Sequence, residues 1–430
     1  MDSYVGPPAS LLKPLSIPNK VLLGAGPANC SPRVLHAMSL PVLGHLHPEC
    51  TQLMDEVKVG LQYVFQTKNP VTLAVSASGH GGMEMAMCNL VEPGDVVLVT
   101  VAGIWGKRAA DIAARYGADV RILEKNPGEN FCLRILESAL ARHRPVLLFL
   151  VQGESSTGVY QPLQGVGPLC RRYDCLLVVD TVASLGGVSV QTDQWEIDVI
   201  YSGSQKVLGS PAGLAPISFN SRALSKIESR KTPVSVFYWD VKHLSNYWAC
   251  SGEPRQYHHT ISSTLVSALR EGLAIIAEEG LERCTARHSA CAKRLHNGLR
   301  GLGLELFVEK EDARLPTITT VRIPANLDLK ALQDYAMKNY AIEIAGGLGP
   351  TAGQVFRIGL MGYNATADKV DLVLKAGPPT GYLQPPSAKI SSGLLWAREV
   401  LAGWSLRSSV SGGMTAGHCL QQAFLSGLKE

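Results

Sequence analysis

The chain has 430 residues, of which 46% are hydrophobic and 18% charged, a composition typical of a globular protein with more than one domain. Its net charge is +4 and the basic residues are scattered, which argues against nucleic acid or a membrane surface as a partner. No apolar stretch approaches the roughly 20 residues of a membrane-spanning helix. The ten cysteines match neither a zinc knuckle nor a redox pair. We therefore predict a soluble protein with reduced thiols.

Short apolar runs alternate with helical stretches over the first half of the chain. The runs lie at 72–76, 96–100, 120–123, 147–151, 176–180 and 199–202. Apolar runs separated by helices are typical of a mostly parallel sheet covered by helices on both faces. We therefore predict an α/β fold whose ligand site lies at the carboxyl ends of the strands, where the polar and glycine-rich segments follow.

The second half of the chain predicts a smaller α+β lobe. Helical periodicity at 263–282 and 286–302 indicates a helix pair, which is followed by a strand at 317–323, a helix at 328–338, a strand at 355–359 and a helix that Thr366 would cap. We predict an N-terminal arm at 1–23, a large domain at 24–282 and a small C-terminal domain at 283–375. Residues 376–430 are rich in Gly, Ser and Pro, which predicts a loosely ordered tail.

Lys206 and Asp180 each lie at the carboxyl end of a predicted strand. A partly buried lysine has a lowered pKa, which makes its amine nucleophilic enough to form an imine with an aldehyde cofactor. A carboxylate in such a place requires a cationic partner, and the ring nitrogen of pyridoxal phosphate supplies one. The alternatives are a surface lysine at a strand end and an aspartate that binds a metal or caps a helix. The two residues together favour the cofactor.

Three further segments follow predicted strands. The glycine-rich segment 76–84 opens a helix, whose free backbone N–H groups can bind phosphate, although the segment matches neither a Walker loop nor G-x-G-x-x-G. Trp105 lies between glycines, where an indole can lie over an aromatic cofactor. Segment 152–158 presents hydroxyls to the same cleft. The alternatives are a simple glycine-rich turn, a core tryptophan and a solvated turn, respectively.

Arg357 lies on an apolar run of the predicted second lobe. Its planar guanidinium suits a substrate carboxylate bound through two hydrogen bonds, and an internal salt bridge is the alternative. The adjacent His258 and His259 have no acidic cluster beside them and are expected to point in different directions. We therefore predict no metal site.

Several motifs together resemble the fold-type-I pyridoxal-phosphate enzymes of the class V aminotransferase group, from about residue 12 to residue 374. The motifs are KPLSIPN at 13–19, GIWG at 103–106, GESSTG at 153–158, YSGSQK at 201–206, YHHT at 257–260 and GGLGP at 346–350. The resemblance implies a mostly parallel central sheet with helices on both faces, a smaller C-terminal lobe and the cofactor pyridoxal 5'-phosphate.

The resemblance also implies a role for individual residues. Lys206 would form the imine with the cofactor, Asp180 would pair with the ring nitrogen and Arg357 would bind the substrate carboxylate, with Gly26 close to the substrate. The other implied contacts are Trp105 stacked on the ring, Ser155 beside the ring hydroxyl, Gly79, His80 and Gln205 at the phosphate, and Tyr257 and Thr260 of the partner subunit, also at the phosphate. The implied reaction is ping-pong transamination from L-alanine or L-serine to glyoxylate or pyruvate, in a homodimer with shared active sites.

The sequence departs from the family pattern in two places. Ala25 stands where a proline is usual, and the chain ends in Leu-Lys-Glu rather than in a peroxisomal tripeptide similar to Ser-Lys-Leu. The resemblance implies a peroxisomal enzyme, with cytoplasm or mitochondria as the alternatives.

Other activities remain open from the sequence. They are a catalytically impaired variant or scaffold of the same fold, a phosphoserine aminotransferase, and a cysteine desulfurase, for which no cysteine is available between Cys291 and Cys419.

Overall fold

The apolar runs form the strands of a seven-stranded central sheet. The computed structural model describes residues 5–325 and 327–377. Its strands are β1 Val21–Leu22, β2 Val71–Val75, β3 Val96–Val101, β4 Asp119–Glu124, β5 Leu147–Val151, β6 Gly153–Glu154, β7 Val159–Tyr160, β8 Leu176–Asp180, β9 Val199–Tyr201, β10 Ala215–Phe219, β11 Ile318–Arg322, β12 Ile342–Glu343, β13 Ala345–Gly346 and β14 Val355–Gly359.

Helices follow most of the strands. They are α1 Pro32–Met38, α2 Pro48–Phe65, α3 Gly79–Leu90, α4 Ile104–Arg115, α5 Leu133–His143, α6 Val166–Arg172, α7 Ser221–Glu228, α8 Val241–Tyr247, α9 Ser263–Glu279, α10 Leu281–Gly301, α11 Leu329–Tyr340 and α12 Ala367–Lys375. Within the described residues, no helix is long and apolar enough to cross a membrane.

The central sheet has the order β2-β10-β9-β8-β5-β3-β4. Every residue of β2, β5 and β8 is buried, and these strands are mostly apolar because helices cover both faces of the sheet. The pairs β3–β4, β3–β5, β5–β8 and β8–β9 are parallel. The predicted α/β fold with a mostly parallel sheet is confirmed.

Strand β10 is the exception, and the sequence did not reveal it. It runs antiparallel to both of its neighbours, β2 and β9. Pro216 is the second residue of this strand, and proline has no backbone N–H to donate to a neighbouring strand, so this residue type argues against an interior strand. The Pro216 carbonyl still accepts a hydrogen bond from the Ser202 backbone N–H at 2.8 Å.

The predicted second-lobe elements are present. Strands β11, β14 and β13 form a three-stranded antiparallel sheet, and the helix pair divides at Gly280, whose φ is +84°, because a left-handed conformation ends helix α9 at little cost for glycine. Thr366 is the N-cap of α12, but its side chain makes no capping bond. The domain boundaries stay a prediction, and the predicted tail falls outside the described residues from position 378 onward.

Candidate active site

The carboxyl ends of β2, β3, β5, β8 and β9 bring the predicted site residues together. These strands run in the same direction, because β10 is antiparallel to both β2 and β9. Their ends therefore meet at one edge of the sheet. The predicted residues that follow or end these strands are Gly79 and His80, Trp105, Ser155, Asp180, Gln205 and Lys206.

Lys206 lies just after β9, and its amine contacts the N-terminal segment. Its Nζ donates a hydrogen bond to the Ala25 carbonyl oxygen. At Gly26, whose φ is +100°, an added Cβ would lie 2.1 Å from this Nζ, so only glycine fits there. Burial and, to a smaller extent, the nearby charge of Arg357 lower the pKa of Lys206 to about 8, although Asp180 opposes this shift. About a tenth of the amine is therefore unprotonated at pH 7, far more than for an exposed lysine.

Asp180 ends strand β8 as a buried carboxylate with 3% of its surface exposed. Its Oδ1 accepts a hydrogen bond from the Val182 backbone N–H at 2.8 Å, and its Oδ2 accepts one from the Tyr201 hydroxyl at 2.6 Å. Burial raises the pKa of Asp180 to about 6 in spite of these two donors and of Lys206. Among the described residues, no cationic side chain forms an ion pair with it. The site thus fits a cofactor that carries a protonated ring nitrogen.

The start of helix α3 fits a phosphate group. Its N-cap, Ser78, makes no side-chain capping bond, so the first backbone N–H groups of the helix remain available. An added Cβ at Gly79 would lie 2.8 Å from Val182 Cγ2. The side-chain oxygen of Gln205 is buried and has no hydrogen-bond partner in the part of the chain that the structure describes. His80 lies beside these groups, and burial followed by the charge of Arg108 lowers its pKa.

Trp105 lies in the first turn of helix α4, where its backbone N–H and its indole N–H both donate hydrogen bonds. Its indole Nε1–H donates to Ser155 Oγ at 2.6 Å, and its backbone N–H donates to Glu154 Oε2 at 3.2 Å. The imidazole of His80 meets the indole edge to face, with ring centres 5.2 Å apart. The orientation of the indole is therefore determined by several contacts, and its stacking on a cofactor stays a prediction.

Arg357 lies on strand β14 with 8% of its surface exposed. Its Nε donates to the Gly346 carbonyl at 2.7 Å and its Nη1 donates to the Ser155 carbonyl at 3.1 Å. Burial lowers its pKa, and nearby Glu154 opposes this effect. No carboxylate among the described residues lies within ion-pair distance, so the internal salt bridge is not observed. The positive charge remains available for a planar anion close to Lys206.

Tyr257 and Thr260 lie at the surface. Tyr257 is 59% exposed, and its hydroxyl is 3.3 Å from Thr260 Oγ1. Between them, His259 Nε2 lies 2.6 Å from the Oγ of Ser76, the first residue of the glycine-rich segment 76–84. The expectation that His258 and His259 point apart is wrong, because their Nδ1 atoms are 2.9 Å apart. A ring hydrogen bond between neighbouring residues overrides the alternation of an extended chain.

Two residues of the site received no role from the sequence. Tyr201 is paired in register with Asp180 on the neighbouring strand, which explains their hydrogen bond. Glu154 is 2% exposed, and burial raises its pKa to about 7. A polar residue at the carboxyl end of a covered strand, or directly beyond it, was the available signal in both cases.

The comparisons with known proteins agree with this geometry. The sequence model of the family described as Aminotransferase class-V matches residues 21–373. The chain belongs to the class-V aminotransferases. It is 54% identical to the alanine–glyoxylate aminotransferase of Drosophila melanogaster, over 86% of this chain and 94% of that protein. It is 56% identical to the protein of the same name from Felis catus, over 86% of this chain and 90% of that one.

A solved structure shows the same relationship. The crystal structure of an alanine–glyoxylate aminotransferase from Nostoc sp. is 49% identical, with a TM-score of 0.82, and the match covers 85% of this chain and 96% of that one. The chain is therefore a fold-type-I, pyridoxal-phosphate-dependent aminotransferase that acts on an amino acid and a 2-oxo acid. Nothing in the comparisons favours an impaired variant or a scaffold.

Proposed function

We propose that the protein transfers the amino group of L-alanine, or of L-serine, to glyoxylate or pyruvate. The observation that carries the proposal is the proximity of two largely buried basic groups, the amine of Lys206 and the guanidinium of Arg357, close enough that the charge of Arg357 lowers the pKa of Lys206. The relatives at more than half identity are named for alanine and glyoxylate. Both compounds carry a carboxylate beside the reacting carbon, which is the arrangement this pair of residues matches.

The cofactor would be held by residues that surround the sheet edge. They are Lys206 at its aldehyde carbon, Asp180 at its ring nitrogen, Trp105 on its ring face, Ser155 at its ring hydroxyl, Gly79, His80 and Gln205 at its phosphate, and Tyr257 and Thr260 of a second copy of the chain. When bound, pyridoxal phosphate supplies an aldehyde that accepts an amino group and an electron-poor ring that withdraws charge from the substrate carbon.

The side chains of the protein would bind the substrate and transfer its proton. Arg357 would bind the substrate carboxylate and fix the orientation of the Cα–H bond. Lys206 would take the Cα proton on Nζ and deliver it to the carbon of the former aldehyde group, because an amine with a pKa of about 8 can accept and donate protons near neutral pH. Gly26 would leave space for both the lysine and the substrate. Asp180 would hold its negative charge opposite the ring nitrogen.

The first experiment follows the cofactor absorbance of the loaded protein. Addition of L-alanine alone should bleach the visible band, and subsequent addition of glyoxylate should restore it, because the two half-reactions occur in turn. Lys206→Ala should lack the band that depends on this amine while remaining folded. A band that does not respond to L-alanine or L-serine would overturn the substrate assignment, and a wild-type band retained in Lys206→Ala would overturn the role of the lysine.

We also propose that the protein is a homodimer. In the N-terminal arm, large apolar side chains are exposed to solvent, as are others on and near helices α1 and α2. They are Val5, Leu11, Leu12, Leu15, Ile17, Leu35, Leu40, Val42, Leu46 and Val59. Monomeric soluble proteins rarely expose so many large apolar groups, which supports a second copy of the chain as the group that covers them.

The family resemblance further supports a peroxisomal location, with cytoplasm and mitochondria as the alternatives. Immunofluorescence of the untagged protein beside organelle markers tests this proposal. A signal that does not coincide with the peroxisomal marker would contradict it.

A further inference from the structure

Glu154 is a buried carboxylate that the reaction described above does not use. It lies on strand β6 with 2% of its surface exposed, and no basic side chain among residues 5–325 and 327–377 forms an ion pair with it. Instead, both of its oxygens accept hydrogen bonds. Oε1 accepts from the Ser156 backbone N–H at 3.0 Å and from Ser156 Oγ at 2.6 Å, and Oε2 accepts from the Trp105 backbone N–H at 3.2 Å.

These bonds cap helix α4 from a different segment of the chain. The N-cap residue of α4 is Gly103, which has no side chain to offer. An added Cβ there would lie 2.3 Å from Glu154 Cδ and 2.5 Å from Ser156 Oγ. Glu154 and Ser156 therefore occupy the space that a capping side chain at position 103 would need. Ser156 Oγ accepts the Ile104 backbone N–H at 3.1 Å, and Glu154 accepts the next N–H. Two of the unsatisfied N–H groups of the first turn thus find acceptors.

The same short segment contacts the substrate-binding arginine. Ser155 Oγ accepts a hydrogen bond from the Trp105 indole N–H, and the Ser155 carbonyl accepts one from Arg357 Nη1–H. The carbonyl of Ser156 accepts the Thr351 hydroxyl at 2.6 Å, in the segment that leads into β14. Residues 154–156 therefore connect helix α4, which carries Trp105, with strand β14, which carries Arg357.

We propose that Glu154 is a positioning residue: by capping helix α4 in place of Gly103, it holds Trp105 and Arg357 in register for the cofactor ring and the substrate carboxylate. This inference rests on the proposed roles of Trp105 and Arg357. The Glu154 carboxylate also lies near the positive end of the α4 helix dipole, which favours its ionised form, whereas burial favours the protonated form.

The test compares Glu154→Gln with a matched control, Glu124→Gln. Each oxygen of the Glu154 carboxylate accepts a hydrogen bond from a backbone N–H group. The amide of glutamine must therefore place its NH₂ group against one of these donors, where no hydrogen bond can form. Glu124 is exposed and contacts the same helix through Lys107, and its replacement should change nothing. With Glu154→Gln we expect the Kd for pyridoxal phosphate and the KM for the amino acid to rise about tenfold each, as for an unsatisfied buried hydrogen bond.

A readout on cofactor-free protein separates this inference from the proposed function. In protein labelled with 5-fluorotryptophan, the ¹⁹F resonance of Trp105, assigned with Trp105→Phe, should shift in Glu154→Gln and not in Glu124→Gln. Ser156→Ala, which removes a smaller part of the cap, should shift it in the same direction by less. An unmoved resonance with Kd and KM within twofold of wild type would overturn the proposal, even if the melting temperature fell. If wild type failed to use L-alanine, the proposed function would fail while the resonance and Kd still decided the role of Glu154.

Discussion

Tyr201 and Asp180 form a hydrogen-bonded pair, and removal of the Tyr201 hydroxyl alone tests the role of this hydrogen bond. The Tyr201 hydroxyl is 2.6 Å from Asp180 Oδ2, and this donor lowers the pKa of Asp180, which burial has raised to about 6. Without the hydroxyl, Val182 N–H remains as the one other hydrogen-bond donor to the carboxylate among the described residues. The pKa of Asp180 should therefore rise further in Tyr201→Phe.

Tyr201→Phe should weaken cofactor binding by about tenfold and change its pH dependence. In the proposed site the cofactor ring pairs with ionised Asp180, so we expect the affinity to be greatest above the pKa of this group and to fall as the pH decreases through it. In the variant the fall should occur at higher pH than in wild type. The measurement is the Kd for pyridoxal phosphate between about pH 5 and 8. Tyr335→Phe, on the surface of α11, is the control, and an identical pH profile in Tyr201→Phe would contradict the pairing.

At the scale of elements, a buried ion pair joins the start of α7 to strands β8 and β9. Asp198 has no exposed side-chain surface, and Arg222 Nη1 is 3.0 Å from its Oδ2. The same carboxylate accepts the Leu177 backbone N–H and the Asn220 side-chain amide, each at 2.8 Å. The pair therefore connects three elements on the side of the sheet opposite the active site.

Arg222→Ala should destabilise the protein by about 3 kcal/mol, because it leaves a buried carboxylate without a cation. Arg115→Ala is the matched control. Its ion pair with Asp111 is exposed, and its loss should cost less than about 1 kcal/mol. Urea unfolding of the cofactor-free proteins measures both changes. Equal losses of stability in the two variants would contradict the prediction that burial of the Asp198 carboxylate determines the size of the effect.

The sequence predicted the parallel strands better than the antiparallel one. Strands β5 and β8 are continuous apolar runs, and the predicted bounds match the observed ones, because burial on both faces determines their composition directly. Strand β10 carries Pro216 and a buried Ser218, whose Oγ is 2.9 Å from Thr72 Oγ1. These two residues interrupt the apolar run, and the partner of the Ser218 hydroxyl lies 146 positions away.

The site was predictable to the extent that position along a strand determines it. Lys206 and Asp180 could be placed from the strand ends alone. The cap that Glu154 provides for α4 could not, because it depends on the close approach of two loops that are distant in sequence. The bond between Tyr201 and Asp180 depends on strand register, which local composition does not specify.

At the scale of the whole molecule, the proposed homodimer predicts complementation between two impaired subunits. Lys206→Ala lacks the amine proposed to be catalytic, and Tyr257→Ala lacks a residue proposed to act in the opposite subunit. A mixed dimer of the two would contain one site with both defects and one intact site. Its activity should be about half that of wild type, although each variant alone is impaired. Purification with two different affinity tags isolates the mixed dimer.

No recovery of activity in the mixed dimer would place Tyr257 at the site of its own subunit. Sedimentation of each variant provides the control, since both should assemble as wild type does.

The contacts of the N-terminal segment determine when the active site can form during synthesis. Strand β1 pairs with β12 through Val21 and Ile342, and the Leu22 carbonyl accepts a hydrogen bond from the Asn364 side-chain amide at 2.8 Å. Three residues later, the Ala25 carbonyl accepts a hydrogen bond from the amine of Lys206. The ribosome makes residues 21–26 early and their partners at 342–364 late. Residues 21–26 can therefore reach their final positions only after nearly all of the described chain has left the ribosome. In a nascent chain arrested before that point, this segment does not yet cover Lys206 and the site is open.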